Sequence, residues 1–287
     1  MQGMIKTMNL CNAPELKALL ARHGFRFYKS KGQNFLIASW VPEDIAAASG
    51  ADRTCGVLEI GPGVGPLTCQ LAQRAGKVAA VELDRDLFPI LAETLADWDN
   101  VQVIEGDILK TDIPALVSQH FAGLTPIACA NLPYNITSPA LAALIEAGCF
   151  ASITVMIQRE AALRVCARPG TADYGAFSVY CQYHTTPELL FEVPPDCFMP
   201  APKVTSAVVR LVPRPRPAEV DDPAHFFKVV KAAFGQRRKT LANALSAVFG
   251  DKAAIAAALE ACGFPAAIRG ERLSIAEFAA LSKALRE

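Results

Sequence analysis

Apolar segments of strand length alternate with helical ones between residues 55 and 158, and this alternation constrains the fold more than any other feature. Parallel strands require a crossover connection, which is usually a helix, so the pattern predicts a mostly parallel, doubly wound sheet. We therefore assign the chain to the α/β class with a Rossmann-like fold. The predicted strands are 56–60, 77–82, 101–105, 126–130 and 153–158, and the helices predicted with them are 14–23, 66–76, 87–96 and 139–147.

Three later segments follow one another without a long intervening helix. They are 177–183, 188–193 and 206–212, and they are rich in aromatic and β-branched residues. Such residues favour strands. We expect the three segments to extend the sheet with antiparallel pairing.

The chain divides at a proline-rich segment. Every second residue from Pro213 to Pro217 is proline, which excludes a helix and a central strand, so we predict a stiff linker over 214–219. Beyond it, alanine-rich sequence with helical spacing predicts a small all-α domain over 220–287, with helices at 223–234, 237–248, 252–261 and 274–286. The α/β domain then comprises residues 1–213 and includes a basic N-terminal segment, 14–36.

Charge is balanced overall, with 28 basic and 28 acidic residues, but it is distributed unevenly. Residues 55–150 carry eleven acidic and four basic side chains, whereas residues 199–240 carry nine basic and three acidic ones. A second basic cluster consists of Arg22, His23, Arg26, Lys29 and Lys31. Two basic regions beside an acidic one suit a polyanion bound across part of the surface, although ordinary solvated faces explain either cluster equally well.

Composition disfavours several classes of protein. Hydrophobic residues make up 52% of the chain, which is enough for a sizeable core, yet no apolar run approaches the ~20 residues that span a bilayer. The nine cysteines contain no C-x-x-C pair and the four histidines are isolated, so we expect neither a disulfide framework nor a metal site. The simplest interpretation is a reduced cytoplasmic protein that binds no metal and no membrane.

A glycine-rich loop, 61–65, follows the first strand of the alternating region and opens a helix. Its spacing is G-x-G-x-G, whereas dinucleotide sites normally have G-x-G-x-x-G with a pyrophosphate on the helix N-terminus. Glu59 lies two residues upstream, where a carboxylate would repel a pyrophosphate. The loop therefore suits a ligand that carries an ammonium group and no phosphate.

Two further acids end the next two strands. Glu82 lies 21 residues after Gly61, at the position where an acid commonly binds the hydroxyls of a ribose. Asp107 ends the third strand and could accept a hydrogen bond from an adenine amine. Each acid alone is equally explained as a helix cap or a surface charge, but together, at consecutive strand ends, they predict a nucleoside site.

The segment Asn131-Leu132-Pro133-Tyr134 follows the fourth strand. The Asn131 side chain and the Pro133 carbonyl are two acceptors that could bind an exocyclic NH₂ group, and Tyr134 offers a face on which a base could stack. Since Asn and Pro also favour turns, a plain turn explains the segment equally well when it is taken alone.

These segments together resemble a known family. Residues 131–134 resemble the N-L-P-Y signature of adenine-N6 methyltransferases. The remaining motifs, in register, are G-Q-N-F-L at 32–36, E-I-G-P-G at 59–63, V-E-L-D at 81–84, E-G-D at 105–107, F-M-P-A-P-K-V-T-S-A-V-V-R-L at 198–211 and Q-R-R-K-T at 236–240. In order and spacing, the chain is similar to the bacterial small-subunit ribosomal RNA adenine dimethyltransferases from about residue 14 to its C-terminus.

The resemblance implies an S-adenosylmethionine-dependent enzyme. It implies that two adjacent adenosines near the 3′ end of 16S rRNA, in small ribosomal subunit particles, become N6,N6-dimethyladenosine through four methyl transfers. Residues 1–213 would form the methyltransferase domain, and residues 220–287 would contact RNA. We expect a monomer.

The resemblance also implies roles for individual residues. Asn34 and Leu36 would border the cofactor, Gly61 and Gly63 would meet its methionine end, Glu82 its ribose, Asp107 its adenine, and Asn131 its methionine moiety and the target amine. The catalytic segment would be Asn131, Leu132, Pro133 and Tyr134, with Tyr134 and Phe198 enclosing the flipped base. The expected RNA-binding residues are Arg22, Arg26, Lys29, Lys31, Lys203, Arg237, Arg238 and Lys239.

Three other functions are compatible with parts of the sequence. A 23S rRNA adenine methyltransferase of the macrolide-resistance type would share the catalytic domain, but the motifs at 198–211 and 236–240 favour the small-subunit enzyme. An NAD-dependent dehydrogenase is disfavoured by the missing third glycine and by Glu59. A catalytically inactive nucleic-acid-binding factor is disfavoured by the intact segment 131–134.

The basic triplet 237–239 has two explanations. On the predicted helix, consecutive residues are about 100° apart, so the three side chains could not share one intramolecular partner. A phosphate backbone could meet several of them. The alternative is that Arg237 or Arg238 braces the helical domain.

Overall fold

The computed structural model describes residues 9–25, 33–215, 217 and 220–286. Arg26, Lys29 and Lys31, three of the expected RNA-binding residues, lie outside this part of the chain, as does half of the predicted linker 214–219. No helix of the described residues is long and apolar enough to cross a membrane.

The central feature is a seven-stranded sheet with the order β4-β3-β2-β5-β6-β9-β7. Strands β2 to β6 are parallel neighbours, and β9 pairs antiparallel with β6. A separate two-stranded antiparallel pair joins β1 to β8. The strand bounds are β1 Phe35–Leu36, β2 Cys55–Ile60, β3 Lys77–Glu82, β4 Val101–Glu105, β5 Thr125–Asn131, β6 Ile153–Gln158, β7 Thr185–Val193, β8 Phe198–Met199 and β9 Ser206–Pro213.

Twelve α-helices precede, connect or follow these strands within the described residues. Their bounds are α1 Ala13–Arg22, α2 Trp40–Ala48, α3 Pro66–Arg74, α4 Phe88–Thr94, α5 Ile113–His120, α6 Thr137–Ala147, α7 Arg159–Cys166, α8 Ala176–His184, α9 Pro223–Gly235, α10 Leu241–Phe249, α11 Lys252–Ala261 and α12 Ile275–Ala284. The helices α2, α5, α7 and α8 were not predicted from the sequence. The prediction of a Rossmann-like α/β fold with a C-terminal helical region is confirmed.

Burial explains why β2, β3, β5 and β6 read as continuous apolar runs. All six residues of β2 are buried, as expected for a central parallel strand covered on both faces. The edge strand β4 is only half-buried. One core cluster packs α2 and α3 on β2 through Ile45, Val57 and Leu71.

The predicted strand 177–183 is wrong, because this segment lies within the helix α8. Val179 and Tyr183, four residues apart, are both buried in the core cluster of the helical region. The Gln182 side-chain amide donates to the carbonyls of Val165 and Ala167, at 3.1 and 2.8 Å. Aromatic and β-branched content favoured a strand locally, but burial of one helical face determines the outcome.

The chain forms two compact units. The first comprises residues 1–162 and 188–213, and the second comprises 163–187 and 214–287. The second unit thus includes residues 163–187, whereas the sequence predicts an α/β domain that contains them. The Gly170 amide donates to the Glu271 carbonyl at 2.7 Å, and the Tyr174 hydroxyl donates to the Leu273 carbonyl at 3.0 Å.

Candidate active site

A cavity of about 330 Å³ lies in the first unit, where the strands β2, β3 and β5 end. Carboxyl ends of parallel strands meet at one edge of a sheet, which is where open α/β folds bind ligands. The cavity brings together every residue expected to contact the cofactor and the whole segment 131–134. The predicted residues that line it are Asn34, Leu36, Gly61, Gly63, Glu82, Asp107, Asn131, Leu132, Pro133 and Tyr134.

The loop 61–65 is shaped by glycines with left-handed backbone angles. Gly61, Gly63 and Gly65 have φ of 65°, 63° and 96°, and residues other than glycine rarely adopt such angles. A Cβ atom on Gly63 would lie 3.3 Å from the ring of Phe35. The loop therefore leaves its backbone open to a ligand and begins α3 directly at Pro66.

The charged residues that line the cavity are all acidic. Glu59 is 1% exposed and Glu82 is 6% exposed. Burial, with a further contribution from Glu82, raises the pKa of Glu59 to about 8, and its Oε2 has no hydrogen-bond partner among the described residues. Burial also raises the pKa of Glu82, which accepts hydrogen bonds from the amides of Asp84 at 2.8 Å and Gly63 at 3.4 Å.

Asp107 is half-buried at the rim. Its carboxylate accepts a hydrogen bond from the Leu109 amide at 3.0 Å and lies 3.6 Å from the Lys110 ammonium. Among the described residues, no lysine or arginine lines the cavity. The titratable groups that line the site are therefore all carboxyl groups, which suit a cationic ligand that carries hydrogen-bond donors.

The segment 131–134 leaves β5 as a turn. The amide of Leu132 donates to the Met156 carbonyl at 3.1 Å, and the Tyr134 hydroxyl shares a hydrogen bond of 2.7 Å with the Ser206 hydroxyl. Burial raises the pKa of Tyr134, so the phenol is neutral at physiological pH.

One detail differs from expectation. The carbonyl of Pro133 accepts hydrogen bonds from the Ile136 amide at 3.1 Å and the Thr137 hydroxyl at 3.4 Å, so both of its lone pairs are engaged. The Leu132 carbonyl accepts no hydrogen bond from the described residues. The Leu132 carbonyl is therefore available to a ligand as a backbone acceptor, whereas the Pro133 carbonyl is already engaged.

Phe198 is not among the residues that line the cavity. It is 2% exposed, lies in the core cluster of the first unit, and pairs with Leu36 across β1 and β8. Its ring would have to be uncovered before it could stack on a base.

The expected RNA-binding residues within the described chain fall into two groups. Arg22 forms an ion pair with Glu93, and Arg237 donates to the carbonyls of Ala172 at 2.6 Å and Tyr174 at 3.2 Å. Exposed Lys203, Arg238 and Lys239 have no side-chain partner among the described residues. The triplet 237–239 lies in the turn before α10, so the predicted start of that helix at 237 is wrong.

Sequence reasoning assigned no role to Gln33 or Asp84, although both line the cavity. Their position within the motifs 32–36 and 81–84 was the only sequence signal that could have pointed to a role at the cavity. Among the described residues, no group of three His, Cys, Asp or Glu is placed to hold a metal ion.

Comparison with known proteins identifies relatives over nearly the whole chain. The family model of ribosomal RNA adenine dimethylase matches residues 24–286. Ribosomal RNA small subunit methyltransferase A of Geobacillus thermodenitrificans (strain NG80-2) is 47% identical over 276 residues, which are 94% of each chain. The protein of the same name from Streptococcus pneumoniae (strain JJA) is 46% identical over 286 residues, which are 97% of this chain and 99% of that one.

Solved structures show the same fold. The crystal structure of 23S rRNA methyltransferase ErmE has a TM-score of 0.66 and 26% identity, covering 88% of this chain and 100% of that one. A dimethyladenosine transferase from Plasmodium falciparum has a TM-score of 0.71 and 23% identity, covering 86% of this chain and 95% of that one.

This fold, with an acidic cavity at its strand ends, is that of a Rossmann-like methyltransferase. The family match from residue 24 to residue 286 is more specific. The chain belongs to the ribosomal RNA adenine dimethylase family, and it is an rRNA-modifying enzyme.

Proposed function

We propose that this enzyme transfers methyl groups from S-adenosylmethionine to N6 of two adjacent adenosines in the 3′-terminal hairpin loop of 16S rRNA, giving N6,N6-dimethyladenosines. It would act in the cytoplasm, as a monomer, on small ribosomal subunit particles. The observation that carries this proposal is identity of 46–47% over nearly the full length to relatives named small subunit methyltransferase A. The 23S rRNA methyltransferase structure is 26% identical, which disfavours that alternative.

The cavity fits S-adenosylmethionine. Four carboxyl groups line it, those of Glu59, Glu82, Asp84 and Asp107, and no lysine or arginine of the described residues does. A ligand with an ammonium group, a sulfonium charge and several N–H and O–H donors would satisfy such acceptors, whereas a dinucleotide would bring two phosphates among carboxylates. When bound, S-adenosylmethionine supplies a methyl group that its sulfonium makes electrophilic.

The residues at the end of β5 would position the target amine. The adenine N6 is a poor nucleophile because its lone pair is delocalised into the ring. Acceptors from the Asn131 side chain and the Leu132 carbonyl would orient its two hydrogens and favour a more tetrahedral nitrogen. The proton that N6 loses in each transfer passes to water.

Tyr134 would stack on the flipped base. Extruding a base costs a few kcal/mol, and stacking on an aromatic ring returns about 1–3 kcal/mol. The hydrogen bond to Ser206 fixes the phenol of Tyr134, so the ring loses little further freedom on stacking. Phe198 would contribute only after it leaves the core cluster.

Three loops of the second unit form a basic surface that suits the RNA backbone. The loop 167–175 joins the loop 268–272 through the Gly170–Glu271 hydrogen bond and joins the turn 236–240 through Arg237. These loops carry five exposed cations with no side-chain partner among the described residues: Arg168, Arg238, Lys239, Arg269 and Arg272. A row of phosphates is the partner that meets several such cations together.

The proposed function is tested by mapping rRNA methylation. Small-subunit particles from a strain that lacks its own 16S rRNA dimethyltransferase should gain N6,N6-dimethyladenosine at two adjacent 3′-terminal adenosines when incubated with the purified chain and S-adenosylmethionine. Mass spectrometry of the rRNA fragments reports the product. Methylation of large-subunit rRNA instead, or of neither, would contradict the proposal.

The basic surface makes a separate prediction. Replacing Arg238 and Lys239 by alanine should weaken binding to small-subunit particles, because two phosphate contacts are lost. The slope of log affinity against log salt should fall by about 1.4–1.8 units. Because Arg237 braces the loop 167–175, Arg237→Ala should instead lower the thermal midpoint.

Particle binding across a salt series, together with thermal denaturation, distinguishes the two roles. The double variant K252A/K283A is the matched control, since both lysines are exposed in the second unit and lie in the helices α11 and α12, outside these loops. A parental salt slope in the Arg238/Lys239 variant would rule out the phosphate contacts.

A further inference from the structure

The proline loop, which we define as residues 200–205, connects β8 to β9 in the first unit. Pro200 and Pro202 fix the backbone angle φ at two of its positions, so the loop is stiff. At its first end it follows β8, which pairs with β1. At its second end, the Thr205 carbonyl accepts a hydrogen bond from the Arg159 amide at 2.9 Å. The proline loop is therefore held at both ends.

Ser206 joins the proline loop to the segment 131–134. It begins β9 directly after the loop, it is fully buried, and its hydroxyl shares a hydrogen bond of 2.7 Å with the Tyr134 hydroxyl. Consecutive Cα atoms are about 3.8 Å apart, so the Cα atom of Val204 lies within about 8 Å of that of Ser206. The tip of the proline loop therefore lies near the hydroxyl end of the ring on which the flipped base would stack.

Two exposed side chains of different character lie at this tip. Val204 is 44% exposed, and exposed Lys203 has no side-chain partner among the described residues. The sequence from 197 to 218 contains no acidic residue. An apolar side chain beside a cation, in a stretch without carboxylates, suits a nucleic acid strand, which offers base faces and phosphates together.

Flipping a base leaves a gap in the RNA stack. The adenosine that enters the cavity loses its stacking on its neighbour, and this loss opposes flipping. Proteins that unstack bases commonly insert an apolar side chain at the opened step. Because the proposed substrate contains two adjacent adenosines, the gap opens beside the second one, whose adenine face is then uncovered.

We propose that Val204 is the wedge that fills this gap, an inference that rests on the proposed function. Its side chain covers the face of the base next to the flipped adenosine, and the Lys203 ammonium contacts a phosphate beside it. The hydrogen bond between Ser206 and Tyr134 limits how far the wedge can move from the ring that receives the flipped base. Val204 thus lowers the cost of flipping and does not contribute to the binding of S-adenosylmethionine.

Single-turnover methyl transfer, with saturating small-subunit particles and S-adenosylmethionine, tests the wedge. Val204→Ala should transfer about tenfold more slowly, the factor expected when an apolar contact loses two methyl groups. Val204→Leu keeps a branched apolar side chain and should stay within about twofold of the parent. Because Val204 is exposed, both variants should keep the parental thermal midpoint and affinity for S-adenosylmethionine.

Val212→Ala is the matched control for the rate. Val212 is also 44% exposed, and it lies in the same unit near the far end of β9. This variant loses the same two methyl groups from a comparable surface position, so it should transfer methyl groups at the parental rate.

A particle with an abasic nucleotide next to the target adenosine separates a wedge from a merely structural residue. Such a particle is assembled on 16S rRNA whose 3′-terminal fragment is synthetic and in which one of the two adenosines lacks its base. No stacking on that neighbour then opposes flipping, so the parent and Val204→Ala should methylate the remaining adenosine at the same rate. A structural defect in the proline loop would leave the tenfold difference in place.

The outcomes are distinguishable. Parental transfer by Val204→Ala on intact particles would overturn the inference while leaving the proposed function intact. A tenfold loss that persists on abasic particles would also overturn it, as would a parent that cannot methylate them, because removing an opposing stack should not slow transfer. A parent chain that methylates no small-subunit particle would overturn the proposed function and this inference with it.

Discussion

Asn131→Ala should lower the rate of methyl transfer by at least about a hundredfold, because the target amine loses the side-chain acceptor that orients it. Asn131 ends β5 and is half-buried at the rim of the cavity. The variant should still fold, since the buried part of β5 is formed by the apolar residues that precede Asn131. Single-turnover transfer to small-subunit particles measures the effect.

Thr125→Ala provides the matched control for this experiment. Thr125 is the exposed first residue of the same strand, at the end far from the cavity. This variant should transfer methyl groups at the parental rate. Near-parental transfer by Asn131→Ala, or a thermal midpoint far below that of Thr125→Ala, would rule out a role for Asn131 in positioning the amine.

The predictable part of the site is the part that parallel strands bring together. Glu82, Asp107 and Asn131 are far apart in sequence, but each ends or follows a strand of one parallel sheet, so they had to meet at one edge. The glycine loop follows from the same logic. Two kinds of information were enough to predict this placement. Strand periodicity is visible in the local sequence, and parallel strands require a crossover connection, which is usually a helix.

Other features depend on contacts that no local pattern encodes. The segment 177–183 has strand-like composition, yet the burial of Val179 and Tyr183 in the second unit makes it helical. Arg237 looks like its neighbours Arg238 and Lys239, and only the carbonyls of Ala172 and Tyr174 distinguish it.

Contacts between residues that are far apart in the chain determine the other features of the cavity that the sequence did not predict. Phe198 is covered because β8 pairs with β1, two short strands that are far apart in the chain. The Gln33 contact with Asp84 spans 51 residues, so neither residue carries a sequence signal for the other. Tertiary pairing of this kind overrides what composition alone suggests.

Glu82→Ala should weaken S-adenosylmethionine about ten- to a hundredfold, because the ribose hydroxyls lose a charged acceptor. The substitution also removes the acceptor of the Asp84 and Gly63 amides, which helps to shape the glycine loop. Glu82→Gln separates the two effects, since it retains one acceptor oxygen and most of the side-chain volume. It should therefore lose less affinity than Glu82→Ala.

The matched control lies on the neighbouring strand. Glu105 is the register partner of Glu82 across β3 and β4, but it is exposed, forms an ion pair with Arg85 and does not line the cavity. Glu105→Ala should therefore bind S-adenosylmethionine like the parent, because its carboxylate does not line the cavity. Calorimetric dissociation constants compare the variants, and thermal denaturation confirms that each one is folded. Parental affinity in a folded Glu82→Ala variant would refute the ribose assignment, since no other carboxylate ends β3.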